Sequence, residues 1–405
     1  MTDDVGRPTP PDARELPPLW TGGFIMLLAT SFIAYSNIAI FFNFYGHLQN
    51  LPIDPAQYGL LIGIYSAVSL AFRPVVSLFF NAGNSRPFIF LGACLVIGAL
   101  VSYHWAGGFR SMLLVRSFHG LAFVVLGAAL MALLVDYIPQ ERSSEAFGYA
   151  GIIVMLPTTI IPPLYPLLSR TFGGFNQILL FFAGVTVLVF PLLLFVRPKK
   201  ENMAAQSRPS RLGRREIIED LTDRRVLLTL TSMFMLYCGN ALVFFFLAAY
   251  AAKLGVSGVG IFFTLSTAAE LGVRVAAGSY FDRLNKTRLV GLTMLFLALG
   301  YGILALGWAR LFFFGLMGTF LGLGWGIALP VFNGLMFDLS SPKFRALNTN
   351  LGFQMYQAGF FFGPFVGGYA AARWGFTILF IICGGLSVLG AALILPVKAG
   401  QAEKT

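Results

Sequence analysis

Glu270 and Arg274 stand four residues apart inside the otherwise apolar stretch GIFFTLSTAAELGVRVAAGSYF. Glu before Arg at i,i+4 is the favourable order for an ion pair on one helix face. A carboxyl drawn out of water yet facing a guanidinium is pulled two ways, so it can exchange a proton when water or substrate changes the balance. The same pair would also serve as a structural tie between helices. Arg116 and His119 form a second couple one turn apart, either suited to proton exchange near neutral pH or a satisfied core. Arg73 has no acid at its depth in its own half, so it either lines a cavity or snorkels toward headgroups. Asn350, Gln354 and Gln357 fall at i, i+4, i+7 on one face, the spacing of a cavity-lining stripe or of an interhelical hydrogen-bond seam. Asn37, Asn43, Asn240 and Asn333 add amides in other apolar runs. No His, Cys and carboxylate set has metal-ligand spacing, and there is no phosphate loop. The expectation is therefore no cofactor, no metal and no enzyme, since catalysis needs a nucleophile or metal set at one depth.

These residues must be held by elements that live in lipid. AVILMFWYC residues make up 57% of the 405-residue chain and charged residues 11%, against roughly 45–50% (glycine included) and about 25% in soluble domains. So few charges cannot cover a water-soluble globule. The 42 Phe and 45 Gly suit acyl chains and close helix approach respectively. The three cysteines, Cys94, Cys238 and Cys383, sit in apolar runs and read as buried thiols.

A spanning helix needs about 20 largely apolar residues. The sequence offers twelve such spans: 20–47, 56–80, 87–105, 110–136, 143–169, 175–196, 226–252, 256–281, 288–307, 310–337, 345–371 and 375–396. The expected organisation is a cytoplasmic tail (1–19), a six-helix bundle (20–196), a cytoplasmic central loop (197–225), a second six-helix bundle (226–396) and a cytoplasmic tail (397–405). The apolar run that follows residue 19 is too long for a cleavable signal. The middles of spans 3, 6, 9 and 12 carry no ionisable group or amide. Every third span is thus expected to face lipid while the others line a central cavity.

With the N-terminus in the cytoplasm, the inner segments hold twenty Lys and Arg, nine of them between Arg197 and Arg225. The outer loops hold five: Arg110, Arg170, Lys253, Arg310 and Arg373. That bias places both termini inside. The net charge of +11 is then topogenic, and nucleic acid is not an expected partner. On this topology span 8 descends to Asp282, which puts Arg274 about 12 Å and Glu270 about 18 Å above it at 1.5 Å per residue, near the midplane.

The two halves repeat. Gly59 aligns with Gly260, Arg73 with Arg274, Asn84 with Asn285 and Pro163 with Pro364, all at an offset of 201. Six spans per half is an even number, so the repeats are parallel, about an axis along the membrane normal. Spans 8 and 9 carry G-x-x-x-D-R-x-N-K as Gly278, Asp282, Arg283, Asn285 and Lys286; span 4 carries R-x-x-x-G as Arg116 and Gly120, and span 11 carries GPFVGG at 363–368. On these residues the chain resembles the major facilitator superfamily, and GIFFTLSTAAELGVRVAAGSYFDR is similar to its arabinose- or drug-efflux-like branch. The resemblance implies twelve helices in two six-helix repeats around a central cavity, an all-α integral membrane protein of the major facilitator fold. It departs at Asn81, where the first-half loop signature has an acid, and on span 5, where Pro162-Pro163-Leu-Tyr-Pro166 replaces a Gly-Pro motif.

The expected function is secondary transport of a small organic solute by alternating access, as proton-coupled efflux across the inner membrane by a monomer. Three Arg against one Glu inside the membrane favours an anionic or amphipathic solute. A carboxylate or sugar importer is the alternative within transport, and a transport-like sensor or membrane-embedded enzyme the alternative outside it. The expected substrate and proton cavity comprises Asn37, Arg73, Arg116, His119, Asn240, Glu270, Arg274, Asn333, Gln354 and Gln357. Asp136, Arg142, Gly278, Asp282, Arg283, Lys286, Asp338 and Arg345, at helix ends on the cytoplasmic side, are the expected latch between the halves. Such a latch must break easily, because alternating access needs two states within a few kcal/mol.

Overall fold

The computed structural model describes residues 18–77, 84–137, 143–196, 222–281, 284–340 and 344–397. Among these the chain is helical throughout, with no strand. In order the spans are α1 (Gly22–Leu48), α2 (Tyr58–Ser77), α3 (Ser85–Ser102), α4 (Phe109–Tyr137), α5 (Ser143–Phe172) and α6 (Phe175–Leu194). The second half follows as α7 (Arg224–Lys253), α8 (Gly260–Phe281), α9 (Lys286–Ala305) and α10 (Leu311–Leu339). The last helix, Arg345–Ile394, runs 50 residues, too long for one crossing, and is broken at Gly375, whose φ of +81° only glycine adopts without strain. It is therefore two spans, α11 (345–374) and α12 (376–394), which brings the spanning helices among the described residues to twelve.

Local sequence explains the irregularities. α1 tightens into a 3-10 turn at Ile40–Asn43, a mid-helix feature that marks hinges and strain. Just before it Asn37 bonds its own turn, Nδ2 donating to the Ala34 carbonyl at 2.7 Å. α5 contains Pro157, Pro162, Pro163 and Pro166, each of which deletes one backbone donor and frees a carbonyl four residues back.

The halves meet along two seams, α2 against α11 and α5 against α8. A Cβ on Gly59 would lie 2.2 Å from the Pro364 carbonyl oxygen, and one on Gly260 would lie 2.4 Å from that of Pro162. Gly59 and Gly260 are repeat mates, and their contacts correspond to within one residue under the 201-residue repeat. Both sit at the end of the bundle opposite the chain termini. The seal there is completed by aromatic contacts across the halves, Tyr45 with Phe246 at 5.0 Å and Phe42 with Phe263 at 5.5 Å between ring centroids. Away from the seams the outer flanks are apolar and exposed, for instance Phe90, Leu180, Leu292 and Ile381 on α3, α6, α9 and α12, as lipid contact requires.

Candidate functional site

The α5–α8 seam leads from the closed end to the Glu270–Arg274 pair. Pro163 lacks an N–H, so the Thr159 carbonyl one turn back loses its helical donor. Thr264 of α8 takes it, Oγ1 donating at 2.8 Å. Further along, Arg274 reaches back across the seam and its Nη1 contacts Met155 Sδ at 3.7 Å. Nη2 of the same side chain donates to Glu270 Oε1 one turn earlier. Glu270 is buried, whereas Arg274 keeps 30% of its side chain accessible. The Arg274 Nε is buried with no partner, so this guanidinium has bonding capacity left over. Gly326 of α10 lets its backbone close on Glu270, since a Cβ there would lie 2.8 Å from the Glu270 Cα.

Two phenols lie close to the pair. Tyr237 and Tyr356 lie within electrostatic reach of Glu270, and their rings meet edge-on at 5.2 Å. Tyr356 also feels Arg73 and Tyr35 from the first half, and Tyr65 feels Tyr356 and Tyr35. Arg73 and Arg274, equivalent under the repeat, thus approach one aromatic cluster from opposite halves. Gln357 is buried, while Gln354 and Tyr65 each present a buried oxygen with no partner, Oε1 and the phenol hydroxyl. Asn240 and Asn333 are half-buried. The Asn350 side chain lies outside the described residues.

Arg116 and His119 occupy a different environment. Arg116 is 2% exposed and His119 fully enclosed. Arg116 Nε and Nη2 donate to the carbonyls of Leu61 and Ile62 on α2 at 3.1 and 2.8 Å, and Nη1 reaches the Tyr103 hydroxyl at 3.5 Å. The guanidinium carbon lies 4.6, 4.8 and 5.1 Å from the ring centroids of Phe41, Phe44 and Tyr65. No carboxylate is needed: hydrogen bonds from a charged donor contribute about 1.5–3 kcal/mol each and desolvated cation–π contacts up to about 2. Together these offset an insertion cost of about 2.5–3.5 kcal/mol. His119 is equally satisfied, its Nε2 3.1 Å from Asn37 Oδ1 and its Nδ1 3.2 Å from the Tyr103 hydroxyl. The network ties α1, α2, α4 and the end of α3 into one unit, with Asn37 inside it.

Of the residues expected to latch the halves, Asp136, Arg142, Gly278, Asp282, Arg283 and Arg345 lie outside the residues described in full. The remaining two, Lys286 and Asp338, pair at 2.8 Å, but they join α9 to α10 within the second half rather than one half to the other. The phenols are what a search for charges and amides misses. Tyr65 lies eight residues before Arg73, Tyr237 three before Asn240, and Tyr356 between Gln354 and Gln357. Comparing the depth of every phenol with that of the intramembrane charges would have found them.

Comparison with known proteins agrees with this architecture. Human monocarboxylate transporter 2 is 24% identical over 213 residues, which cover 49% of this chain and 42% of that protein, so the matched stretch spans less than half of the relative. Among solved structures, a mutant of the nucleoside transporter NupG superposes with a TM-score of 0.78 at 14% identity, covering 92% of this chain and 99% of that one. A bacterial homologue of the human lysosomal transporter Spinster gives 0.74 at 13% identity over 92% and 96% of the two chains. The human organic anion transporter MFSD10 gives 0.63 at 15% over 93% and 100%. These structures share the fold. The Major Facilitator Superfamily model matches residues 20–346 and 258–405, and with twelve helices in two parallel repeats around a polar centre the chain belongs to the Major Facilitator Superfamily.

Proposed function

We propose that the protein is a secondary transporter that moves a small anionic or amphipathic organic solute by alternating access, coupled to protons, with export as its working direction. The observation that carries this reading is the incompletely satisfied Arg274, bonded to the buried Glu270 at the seam between the halves and close to Tyr237. A guanidinium with an unused donor is a receptor for a carboxylate or similar group. A second cation, Arg73, approaches the same cluster, giving a net positive centre. The partial likeness to a monocarboxylate transporter supports an anionic solute. The phenols Tyr35, Tyr65, Tyr237 and Tyr356 supply flat apolar faces with polar tips, the lining that an amphipathic organic solute requires. The site works without a metal or cofactor, and the protein acts as a monomer.

Both termini lie in the cytoplasm of a cell whose inner membrane holds the protein, on the distribution of Lys and Arg between inner and outer segments. The sealed end is then the outside, so this conformation is closed to the exterior. Reporter fusions after residue 210 are expected to read cytoplasmic and fusions at 253–255 external; the reverse pattern overturns the orientation.

Glu270 is the proposed coupling group, because it is the only carboxylate in the middle of a span. Glu270→Gln keeps the shape and removes the titration. In proteoliposomes the variant should lose pH-gradient-driven uphill transport while keeping substrate exchange. Full gradient-driven transport by Glu270→Gln ends the proposal. A collapse in thermal stability that a Glu270→Gln, Arg274→Gln double variant restores would make the pair a structural tie instead.

A further inference from the structure

A polar cavity of about 450 Å³ opens at the sealed end of the bundle, lined by residues of the first half. It lies between the end of α1, the end of α5 and the start of α6, and its volume is within the range of about 300–1,000 Å³ typical of small-molecule sites. Its walls carry side-chain amides from Asn43, Asn50, Asn176 and Gln177, the hydroxyl of Ser169 and the imidazole of His47. No Asp, Glu, Lys or Arg lines it.

Two of these groups are built in but unused. His47 Nε2 and Asn176 Oδ1 are buried and have no hydrogen-bond partner. A buried polar atom without a partner costs about 1–3 kcal/mol, so two residues lining one cavity, His47 and Asn176, carry polar capacity that the fold does not use. The neighbours of these atoms are fixed. The His47 ring stacks on Phe175 at 4.5 Å and 18°, while Asn43 is held by the Tyr165 hydroxyl. Asn43 Oδ1 also packs close over Gly46, where an added Cβ would lie 3.0 Å away. Asn50 Nδ2 donates to the Gly46 carbonyl at 3.1 Å. The His47 and Asn43 side chains are therefore held before any ligand arrives.

We infer that this cavity is a binding site for neutral, hydroxyl-rich solutes, sugar- or polyol-like, separate from the central cluster. Amides offer both donors and acceptors at one position, and a hydroxyl can serve as either. Walls of amide, imidazole and hydroxyl groups without formal charge therefore match a polyol. They leave a carboxylate without a counter-charge. The rival ligand is an anion, because α6 begins at Phe175 with no side-chain cap on its first turn.

The test uses the full-length protein in lipid nanodiscs, where both faces meet solvent. The exposed rim residue Gln177 is changed to Cys in a Cys94→Ala background, because Cys94 is also exposed, and labelling by a polar maleimide is timed. Sorbitol should slow labelling saturably, by about threefold at twice its half-saturating concentration. Gluconate has the same skeleton with a carboxylate for one terminal hydroxyl, and it should slow labelling far less. His47→Phe should abolish the sorbitol effect; if that variant does not fold, Asn50→Ala at the rim should weaken it. Absence of saturable protection overturns the site, equal or better protection by gluconate makes it an anion site, and sorbitol protection unchanged in both variants removes these residues from it.

Discussion

Arg116 and Arg274 are both intramembrane arginines, yet the protein treats them in opposite ways. Arg116 is enclosed on every side, with two backbone carbonyls, a phenol and three aromatic faces around its guanidinium. All of these come from the first half, so its contacts move as a rigid unit when the halves rock. Arg274 is part-exposed, leaves Nε unpaired and contacts a sulfur from the opposite half. Its surroundings must change whenever the α5–α8 seam opens. A charge that is fully satisfied inside one rigid body is architecture. On the proposed function, a charge left partly satisfied at the boundary between the halves is the one open to solute and proton.

The sharpest way to break this contrast is to remove each guanidinium in turn. Arg116→Leu should cost on the order of 3–5 kcal/mol by stranding buried polar partners and loosening four helices. It should be visible as loss of monodisperse protein in detergent and a lowered unfolding temperature. Arg116→Lys should not restore stability, because an ammonium lacks the planar fork that spans two carbonyls. Arg274→Leu, by contrast, should fold and lose transport. Equal destabilisation by the two substitutions would erase the distinction.

The seam glycines come next in size. Gly260→Val places a branched side chain where even a Cβ would stand 2.4 Å from the Pro162 carbonyl, so the sealed end cannot close as it does here. Each 1.4 kcal/mol of such bias shifts the populations about tenfold, and the shift should appear as longer distances between spin labels placed in the 49–54 and 254–259 segments. Gly59→Val, its repeat mate, should act the same way. An effect of one without the other would show that the two seams do not close together.

Thr264→Val tests the seam more gently. It removes the hydroxyl that satisfies the Thr159 carbonyl left open by Pro163, which should cost about 1 kcal/mol. The same label pairs should report a shift of about fivefold toward the open state. The smallest effect is expected from Asp338→Asn. Its pair with Lys286 is exposed and lies within one half, and pairs of that kind contribute about 0–1 kcal/mol. Transport should be nearly unchanged; a large loss would give the pair a role in switching between states that its position within one half does not suggest.

The sequence alone determined the membrane class, the twelve spans and the two parallel repeats. Apolar run length, turn residues and a fixed 201-residue offset are local or linear quantities. It also brought out Glu270 and Arg274 as partners, because i,i+4 spacing fixes a shared face on any helix. It did not show what surrounds Arg116 and His119, which only the tertiary structure supplies. The partners that satisfy Arg116 are backbone carbonyls 54 and 55 residues away and rings from other helices, and every residue has a carbonyl, so no residue type marks them. The same holds for the phenols: a tyrosine in an apolar run looks like any other aromatic residue until helix packing sets its depth and direction. The link between Pro163 and Thr264 was likewise invisible. Proline announces a freed carbonyl, but which side chain arrives to use it depends on how the two halves close against each other.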